Sequence, residues 1–345
     1  MRAVRYTAYA EPPEVVDVPE PTCPPDGVVV RVEATGVCRS DWHAWKGHDP
    51  VPLPMVPGHE LAGAVSEVGP EVVGWSVGDR VTVPFVVGCG RCGWCRDGES
   101  QVCPDQQQPG FTYDGSWAEL VVVPRAAANL VRLPDAVDAV TAATLGCRYA
   151  TAFRALHTHG RVRPDQWVAV HGCGGVGLSA VQIARALGAH VVAVDPGADA
   201  RALAAELGAH VVVDPSTVRD PAAHVRDVTG GGVHVSLDAV GSPAAASASV
   251  AGLRPRGRHV QVGLLLGEAA RSAIPMDLVV ARELEVLGSH GMPAAGYPAM
   301  LDLIALGTLD PRRLVRRVVD LAEGPAELAA LDDPSAAVGI TVLRP

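Results

Sequence analysis

The sequence predicts an α/β protein of two domains, in which a doubly wound parallel sheet is inserted into a β-rich domain. The chain has 345 residues, and at roughly 100 to 200 residues per domain this length favours two domains. Between residues 148 and 288, short apolar runs alternate with helix-length stretches, as in parallel strands joined by crossover helices. Residues 1–147 carry short β-rich runs between Pro and Gly turns, and residues 289–345 are expected to rejoin them.

The charge and hydropathy of the chain exclude two classes of partner. There are 38 Asp and Glu residues against 28 Lys and Arg, a net charge of -10, which argues against binding to nucleic acid because that affinity comes from basic side chains on phosphates. The N-terminal residues have no apolar segment typical of a secretory signal. No run of about 18 apolar residues suggests a membrane span. We therefore expect a cytoplasmic enzyme without a membrane or nucleic-acid partner.

Four of the eight cysteines are spaced as ligands of one metal ion. In the segment 86–104 they are separated by two, two and seven residues: Cys89, Cys92, Cys95 and Cys103. Cysteines two residues apart let a tight turn aim both sulfurs inward, and Gly90 and Gly93 permit such a turn. The spacing predicts a structural zinc lobe. Thiolate ligation alone leaves an iron–sulfur cluster open as the competing interpretation.

A second candidate site combines residues that are distant in the sequence. Cys38 is followed by Asp41, His59 in Gly58-His59-Glu60 comes 21 residues after Cys38, and a further thiol stands at Cys147. Two thiolates and one imidazole leave the fourth position of a zinc ion open, as catalytic zinc requires. Taken singly, Cys147 could be a small buried hydrophobe and His59 a hydrogen-bonded turn residue.

A glycine-rich turn predicts a dinucleotide site in the inserted domain. An apolar strand at 167–171 runs into glycines spaced G-x-G-x-x-G, a helical pattern follows to residue 187, and a second strand ends at Asp195. In this context the first glycine permits the turn, the second lets the backbone approach a pyrophosphate, and the third allows close packing of helix and strand. The expected contacts are Gly172, Gly174, Gly175, Val176, Gly177 and Asp195.

Asp195 favours NAD over NADP as the cofactor. Its carboxylate can accept hydrogen bonds from ribose hydroxyls, whereas a 2′-phosphate would meet like charge, with Arg201 displaced from the turn and no adjacent arginine to compensate. Further strands are expected within 211–214, 233–241, 259–263 and 285–288, then a helix around 297–306 and a last strand at 339–343.

The combination of these motifs resembles the zinc-dependent alcohol dehydrogenases of the medium-chain dehydrogenase/reductase superfamily, over essentially the whole chain. The resemblance implies a GroES-like catalytic domain at 1–147 and 289–345 and a Rossmann domain at 148–288. It also implies two zinc ions per chain, a small-molecule alcohol, aldehyde or ketone as substrate, and a homotetramer or homodimer. NAD would be the cofactor of an oxidoreductase acting on CH–OH groups.

Carried onto this sequence, the resemblance assigns a role to each site residue. Cys38, His59 and Cys147 would hold the catalytic zinc, with Glu60 as a transient ligand and Asp41 orienting the histidine. Ser40 and His43 would form a proton relay. The substrate pocket would include Phe85, with Trp42, Trp117 and Tyr113 as further candidates, and the nicotinamide end of the cofactor would meet Val240, Gly263 and Leu264.

Three alternatives stay open at this point. Polyol and sugar dehydrogenases of the same superfamily usually have Glu where Cys147 stands, which disfavours them. A non-catalytic NAD-binding zinc protein would be indicated by loss of a zinc ligand or of Ser40, and neither is lost. A zinc-free reductase of the superfamily would not need the three ligands.

Overall fold

The structure, a computed structural model, describes residues 1–271, 274–333 and 338–345. It forms two compact units: Met1–Ala150 with Gly291–Pro345, and Thr151–His290. The boundaries expected from the sequence were 147/148 and 288/289. Since the chain leaves the first unit and later returns to it, the second unit is an insertion.

Strands and α-helices of the described residues are numbered in chain order. The strands are β1 (Arg2–Arg5), β2 (Glu14–Asp17), β3 (Val28–Val37), β4 (Leu61–Val68), β5 (Arg80–Thr82), β6 (Leu120–Val123), β7 (Val131–Arg132), β8 (Trp167–His171), β9 (His190–Val194), β10 (Val211–Val213), β11 (Val233–Asp238), β12 (Leu253–Gln261), β13 (Glu285–Gly288), β14 (Val315–Asp320) and β15 (Ile340–Arg344). The α-helices are α1 (Arg39–Trp45), α2 (Gly93–Arg96), α3 (Ala126–Asn129), α4 (Ala139–Ala142), α5 (Ala150–Arg154), α6 (Gly175–Ala186), α7 (Ala198–Glu206), α8 (Pro221–Val228), α9 (Pro243–Ala251), α10 (Met276–Ala281), α11 (Tyr297–Ala305) and α12 (Gly324–Ala330).

The second unit is a six-stranded parallel sheet in the order β10-β9-β8-β11-β12-β13. Its central strands are apolar because both faces are covered: Val168, Ala169 and Val170 of β8 have no exposed surface. The chain first builds outward from β8 to β10 and then crosses back to β11. This reversal creates a switch point between β8 and β11, where doubly wound sheets bind their ligands. The expected fold class of this half is confirmed.

Helix α6 begins directly after β8 because a glycine turn joins them. Gly172 has a φ of +88°, a conformation that residues with a Cβ rarely adopt. A Cβ on Gly177 would lie 1.7 Å from the carbonyl oxygen of Gly172, so the third glycine is required for the helix to start so close to the strand. Apolar residues of α6 are buried on the sheet, among them Leu178, Val181 and Ile183.

The first unit is built on a seven-stranded sheet around β3. The order is β14-β15-β3-β4-β5-β7, with β6 also pairing with β3. Valines of β3, β4, β5 and β6 form a core between the strands, because β-branched side chains pack well on a pleated surface. The C-terminal strand β15 pairs antiparallel with β3, Thr341 opposite Val37. The last strand thereby joins the sheet that β3 begins, while β1 and β2 form a separate two-stranded sheet.

Two local features of this unit position side chains for the site. Cys38 lies where β3 ends and α1 begins, at the N-cap position of the helix. Leu145–Tyr149 form a single π-helical turn between α4 and α5, and such turns are frequent at functional sites. Within the described residues, no helix combines the length and apolar character needed to cross a bilayer.

The close approach at Gly177 generates a stability prediction. Gly177→Ala should destabilise the protein by about 3 kcal/mol, because the added methyl group cannot avoid the Gly172 carbonyl. Gly174→Ala is the matched control, since nothing lies within 4 Å of its Cβ position. Thermal unfolding of both variants measures the difference. Equal unfolding midpoints would contradict this account of the turn.

Candidate active site

Cys38, His59 and Cys147 meet in the first unit although they are far apart in the sequence. Their candidate ligand atoms all lie within 4.8 Å of one another. Cys38 and His59 are buried and Cys147 is half-buried. The end of β3, the loop before β4 and the π-helical turn each supply one of the three side chains. This arrangement can hold a metal ion and leaves a fourth ligand position for another group.

The hydrogen bonds of His59 test whether the site suits a metal. Its Nδ1 lies 2.9 Å from Oδ1 of Asp41, and the Asp41 carboxylate also accepts backbone N–H groups from Gly58 and Cys38. Nε2 is buried and has no hydrogen-bond partner among the described residues. A histidine that donates from Nδ1 to a carboxylate has its Nε2 lone pair free, the usual state of a zinc ligand. The donor set therefore fits zinc.

The two thiols of the group influence each other's protonation. Their mutual hydrogen bond lowers the pKa of Cys38 well below its usual range and raises the pKa of Cys147 well above it, with burial adding to the second effect. Burial lowers the pKa of His59, but the Asp41 carboxylate raises it by more, so that the pKa lies above its ordinary value. Cys147 therefore keeps its proton beside the Cys38 thiolate, and a divalent metal would supply the positive charge that two adjacent thiolates need.

Glu60 is held by Arg148 behind the three ligands. The carboxylate has no exposed surface. Its Oε1 accepts bonds from the backbone N–H and from Nε–H of Arg148, each at 3.1 Å, and Oε2 contacts Nη2. Both carboxylate oxygens are thus engaged, so Glu60 would have to give up bonds to Arg148 before it could bind a metal. Arg148 was not among the predicted site residues; its position directly after Cys147 was the available signal.

The expected relay residues lie on the short helix after Cys38. Ser40 is half-buried in its first turn, and His43 is half-buried near its end. Nδ1 of His43 lies 3.2 Å from Nδ1 of the exposed His48, a neighbour that was not predicted. Burial and the charges of His48 and Arg39 lower the pKa of His43. His43 therefore favours the neutral form, which can accept a proton.

The aromatic candidates divide into residues near the site and residues in the core. The Phe85 ring lies 6.2 Å from the His59 ring, and Phe111, which was not predicted, lies at 5.3 Å. Trp42 packs edge-on against His43 at 5.0 Å.

The expectation that Trp117 lines the substrate pocket is wrong. Its side chain is wholly buried, and its Nε1–H donates to the carbonyl of Gly36, because the indole fills the core of the first unit.

Tyr113, another pocket candidate, lines a separate cavity of the first unit together with Val56 and Arg5. Its hydroxyl is buried and has no hydrogen-bond partner among the described residues. None of the three candidate zinc ligands lines that cavity. A place for Tyr113 in the substrate pocket therefore stays a prediction from the sequence.

The four cysteines of the predicted zinc lobe, Cys89, Cys92, Cys95 and Cys103, form a tight cluster. Their sulfurs all lie within 4.8 Å of one another, with Cys89 to Cys95 at 3.9 Å and Cys92 to Cys103 at 3.8 Å. A tetrahedral ion with metal–sulfur bonds of about 2.3 Å has sulfur–sulfur edges of about 3.8 Å. An iron–sulfur cluster would hold the thiolates further apart because several atoms lie between them. The geometry suits a single ion, and no disulfide joins these cysteines.

In the second unit, the glycine turn and Asp195 lie at the carboxyl ends of neighbouring strands. Asp195 Oδ2 accepts the Cys173 N–H at 2.6 Å, and Oδ1 accepts the Gly197 N–H at 2.7 Å. Arg201 donates to the Asp195 carbonyl at 2.7 Å and pairs with Asp214 at 3.1 Å. The expectation that no arginine lies beside Asp195 is therefore wrong: one turn of α7 brings Arg201 back to it.

Two further loops reach the same edge of the sheet. Asp238 ends β11, and its Oδ1 accepts the N–H groups of Val240 and Gly241. A Cβ on Gly263, after β12, would lie 2.2 Å from the Gly241 nitrogen. The side chains of Val240 and Leu264 are 51% and 56% exposed. Exposed apolar side chains beside a switch point suit the flat face of a cofactor ring.

The fold and the two cysteine-containing groups define a zinc-binding dehydrogenase, and comparisons with known proteins agree. Residues 24–135 match the model of the alcohol dehydrogenase GroES-like domain, and residues 175–305 match that of the zinc-binding dehydrogenases. An alcohol dehydrogenase of Geobacillus stearothermophilus is 39% identical over 293 residues, 84% of each chain.

Solved structures give the same result. Alcohol dehydrogenase TADH from Thermus sp. ATN1 has a TM-score of 0.93 at 32% identity, covering 100% of this chain and 99% of the other. The 2R,3R-butanediol dehydrogenase of Bacillus subtilis has a TM-score of 0.87 at 28% identity, with the same coverage. This chain belongs to the zinc-dependent alcohol dehydrogenases of the medium-chain dehydrogenase/reductase superfamily. Members of this family are oxidoreductases that act on CH–OH groups and use a nicotinamide cofactor.

The buried ion pair generates a second stability prediction. Arg148→Met should lower the free energy of unfolding by about 3 to 5 kcal/mol, because it leaves the Glu60 carboxylate buried without its partner. Adding Glu60→Gln should restore a large part of the loss. Urea unfolding measures both effects.

The control is Arg2→Met, which breaks the exposed Arg2–Glu119 pair and should cost at most about 1 kcal/mol. If Arg148→Met costs no more than this control, the pair does not stabilise the site.

Proposed function

We propose that this protein is an NAD-dependent zinc alcohol dehydrogenase, which interconverts primary or secondary alcohols with aldehydes or ketones. The observation that carries the proposal is the group of Cys38, His59 and Cys147, in which Nε2 of His59 is buried and unpartnered among the described residues. Such a set of ligands leaves one position for the substrate oxygen. A purely structural zinc site would close all four.

We assign two zinc ions to each chain, one at this group and one at Cys89, Cys92, Cys95 and Cys103. The catalytic ion, when bound, supplies Lewis-acid polarisation of the alcohol oxygen. Asp41 holds the His59 ring so that Nε2 is the ligand atom. Glu60 is held by hydrogen bonds from Arg148, so its carboxylate lies next to the three ligands without itself binding the ion.

A bound nicotinamide would serve as the hydride acceptor for the substrate carbon, and the residues of this chain move the accompanying proton. Ser40 accepts the proton of the alcohol hydroxyl, and His43 delivers it towards solvent. The contact of His43 with the exposed His48 supports this direction. The low pKa of His43 keeps a neutral acceptor available. Phe85, Phe111 and Trp42 supply apolar surface around the reacting group.

The choice of NAD rests on Asp195. Each of its carboxylate oxygens accepts one backbone N–H and retains a lone pair for a ribose hydroxyl. Arg201 lies close by, but it is engaged by Asp214 and does not neutralise Asp195. The contacts at Gly172, Gly174, Gly175, Val176, Gly177, Val240, Gly263 and Leu264 complete the proposed cofactor site.

A vicinal diol is the second candidate substrate, because a butanediol dehydrogenase is among the similar structures. A homodimer or homotetramer and a cytoplasmic location stay predictions from the sequence. A screen of simple alcohols, diols and polyols with both cofactors, followed by NADH or NADPH absorbance, tests the substrate class directly. Turnover of polyols alone would favour the polyol dehydrogenases.

Removal of one zinc ligand separates the two metal sites. Cys147→Ala should lower kcat by about a thousandfold or more, because several kcal/mol of polarisation are lost, and elemental analysis should show zinc falling from two ions to one per chain. Cys23→Ala is the matched control because Cys23 belongs to neither group. One zinc per chain in fully active wild-type protein would contradict the two-zinc proposal.

Substitution of the ribose acid tests the cofactor. Asp195→Gly should shift the ratio of kcat/KM for NAD against NADP by roughly 10- to 100-fold towards NADP, since a charge-assisted hydrogen bond contributes about 1.5 to 3 kcal/mol. Asp199→Ala, which changes an acid in the first turn of α7, should leave the ratio unchanged. An unaltered ratio in Asp195→Gly would remove that residue from cofactor selection.

A further inference from the structure

The first unit contains a cavity of about 600 Å³ that lies apart from the candidate active site. None of its lining residues belongs to the Cys38 group, the four-cysteine cluster or the relay. Five prolines form part of its wall: Pro19, Pro21, Pro24, Pro54 and Pro124. Because proline fixes the backbone φ angle, such a wall is rigid and the cavity is preformed. Its volume lies in the range of sites for small organic ligands.

The cavity contains hydrogen-bond donors without acceptors. Nε of Arg5 is buried and has no hydrogen-bond partner among the described residues, although Glu14 lies opposite Arg5 in the β1–β2 ladder. The Tyr113 hydroxyl is also buried and unpartnered within the described residues. Burial raises the pKa of Tyr113, so this hydroxyl keeps its proton. Buried donors normally have partners, and two orphaned donors in one cavity point to an acceptor from outside.

The carboxylate of Asp114, which also lines the cavity, is not the acceptor for Arg5 or Tyr113. Asp114 accepts the backbone N–H of Val56 at 3.0 Å and forms no ion pair with Arg5 among the described residues. The N-terminal ammonium group of Met1, another lining residue, donates to the Val18 carbonyl at 2.8 Å. The wall thus carries one guanidinium with an unpartnered Nε and one carboxylate, and a ligand with a single negative charge matches the guanidinium with less repulsion from Asp114 than a dianion would meet.

The remaining walls are mostly apolar and include Val18, Val56, Leu120 and Val121. A ligand that uses the whole cavity must therefore combine an acceptor at one end with a hydrocarbon chain. We propose that this cavity binds an aliphatic monocarboxylate, whose carboxylate pairs with Arg5 and whose chain lies along the apolar wall. This site is distinct from the candidate active site, since no zinc ligand, relay residue or cofactor contact lines it; Tyr113, a substrate-pocket candidate from the sequence alone, is the one residue named for both.

Isothermal titration calorimetry with octanoate on the full-length, zinc-loaded protein tests the proposal. Octanoate should bind once per chain, and octylammonium, of the same length and opposite charge, should not bind. Arg5→Gln should weaken octanoate binding about tenfold or more, because a charge-assisted contact is lost. Tyr113→Phe should weaken it severalfold without lowering the unfolding temperature, since the hydroxyl has no partner to lose.

Arg2→Gln provides the matched control, because Arg2 lies on the same strand but does not line the cavity. It should bind octanoate as the wild type does. Alcohol turnover should be the same in wild type, Arg5→Gln and Arg2→Gln, which separates this site from the active site. The proposal is overturned if octanoate fails to bind, if Arg5→Gln binds it as tightly as wild type, or if octylammonium binds equally well.

Discussion

The Asp41 carboxylate is the interaction on which the candidate site depends most. It accepts the Cys38 N–H at 3.0 Å, the Gly58 N–H at 3.1 Å and a bond from His59 Nδ1 at 2.9 Å. One buried side chain thus joins the start of α1 to the loop before β4. It also fixes which nitrogen of His59 faces the two thiols. Without this carboxylate, the loop and the helix would lose their common anchor, and the imidazole would lose the partner that sets its tautomer.

A second buried carboxylate, that of Glu60, positions the segment of the third ligand, Cys147, through its pair with Arg148. Arg148 follows Cys147 in the π-helical turn, and its guanidinium and backbone N–H both bind the carboxylate next to His59. Asp41 therefore connects Cys38 to His59, and Glu60, through Arg148, connects His59 to Cys147. Burying such charged groups costs desolvation free energy, but their hydrogen bonds leave the attached ligand side chains little freedom to move. That restriction suits a site whose ligands come from three separate segments.

Much of the architecture could be predicted because it depends on short-range patterns. Strand and helix periodicity placed β8, α6 and β9, and the glycine spacing placed the turn between them. The four-cysteine cluster was predictable for the same reason, since its ligands lie within 15 residues of one another. Trp117 was assigned wrongly because an aromatic side chain near a site and one in the core look alike in a sequence. Phe111, His48 and Arg201 were missed or misplaced because their roles depend on contacts between segments.

The sequence by itself determined the two-domain α/β class, the family, the metal-ligand types and the position of the nucleotide turn, because spacing and periodicity encode local backbone geometry. The tertiary structure brings Cys38, His59 and Cys147 together, as the resemblance implied, and only it decided that Glu60 is occupied by Arg148 and that His59 keeps Nε2 free. It also decided that Arg5 and Tyr113 share a cavity. These contacts join residues separated by tens of positions, and long-range proximity is set by the packing of whole strands and helices, which no local pattern records.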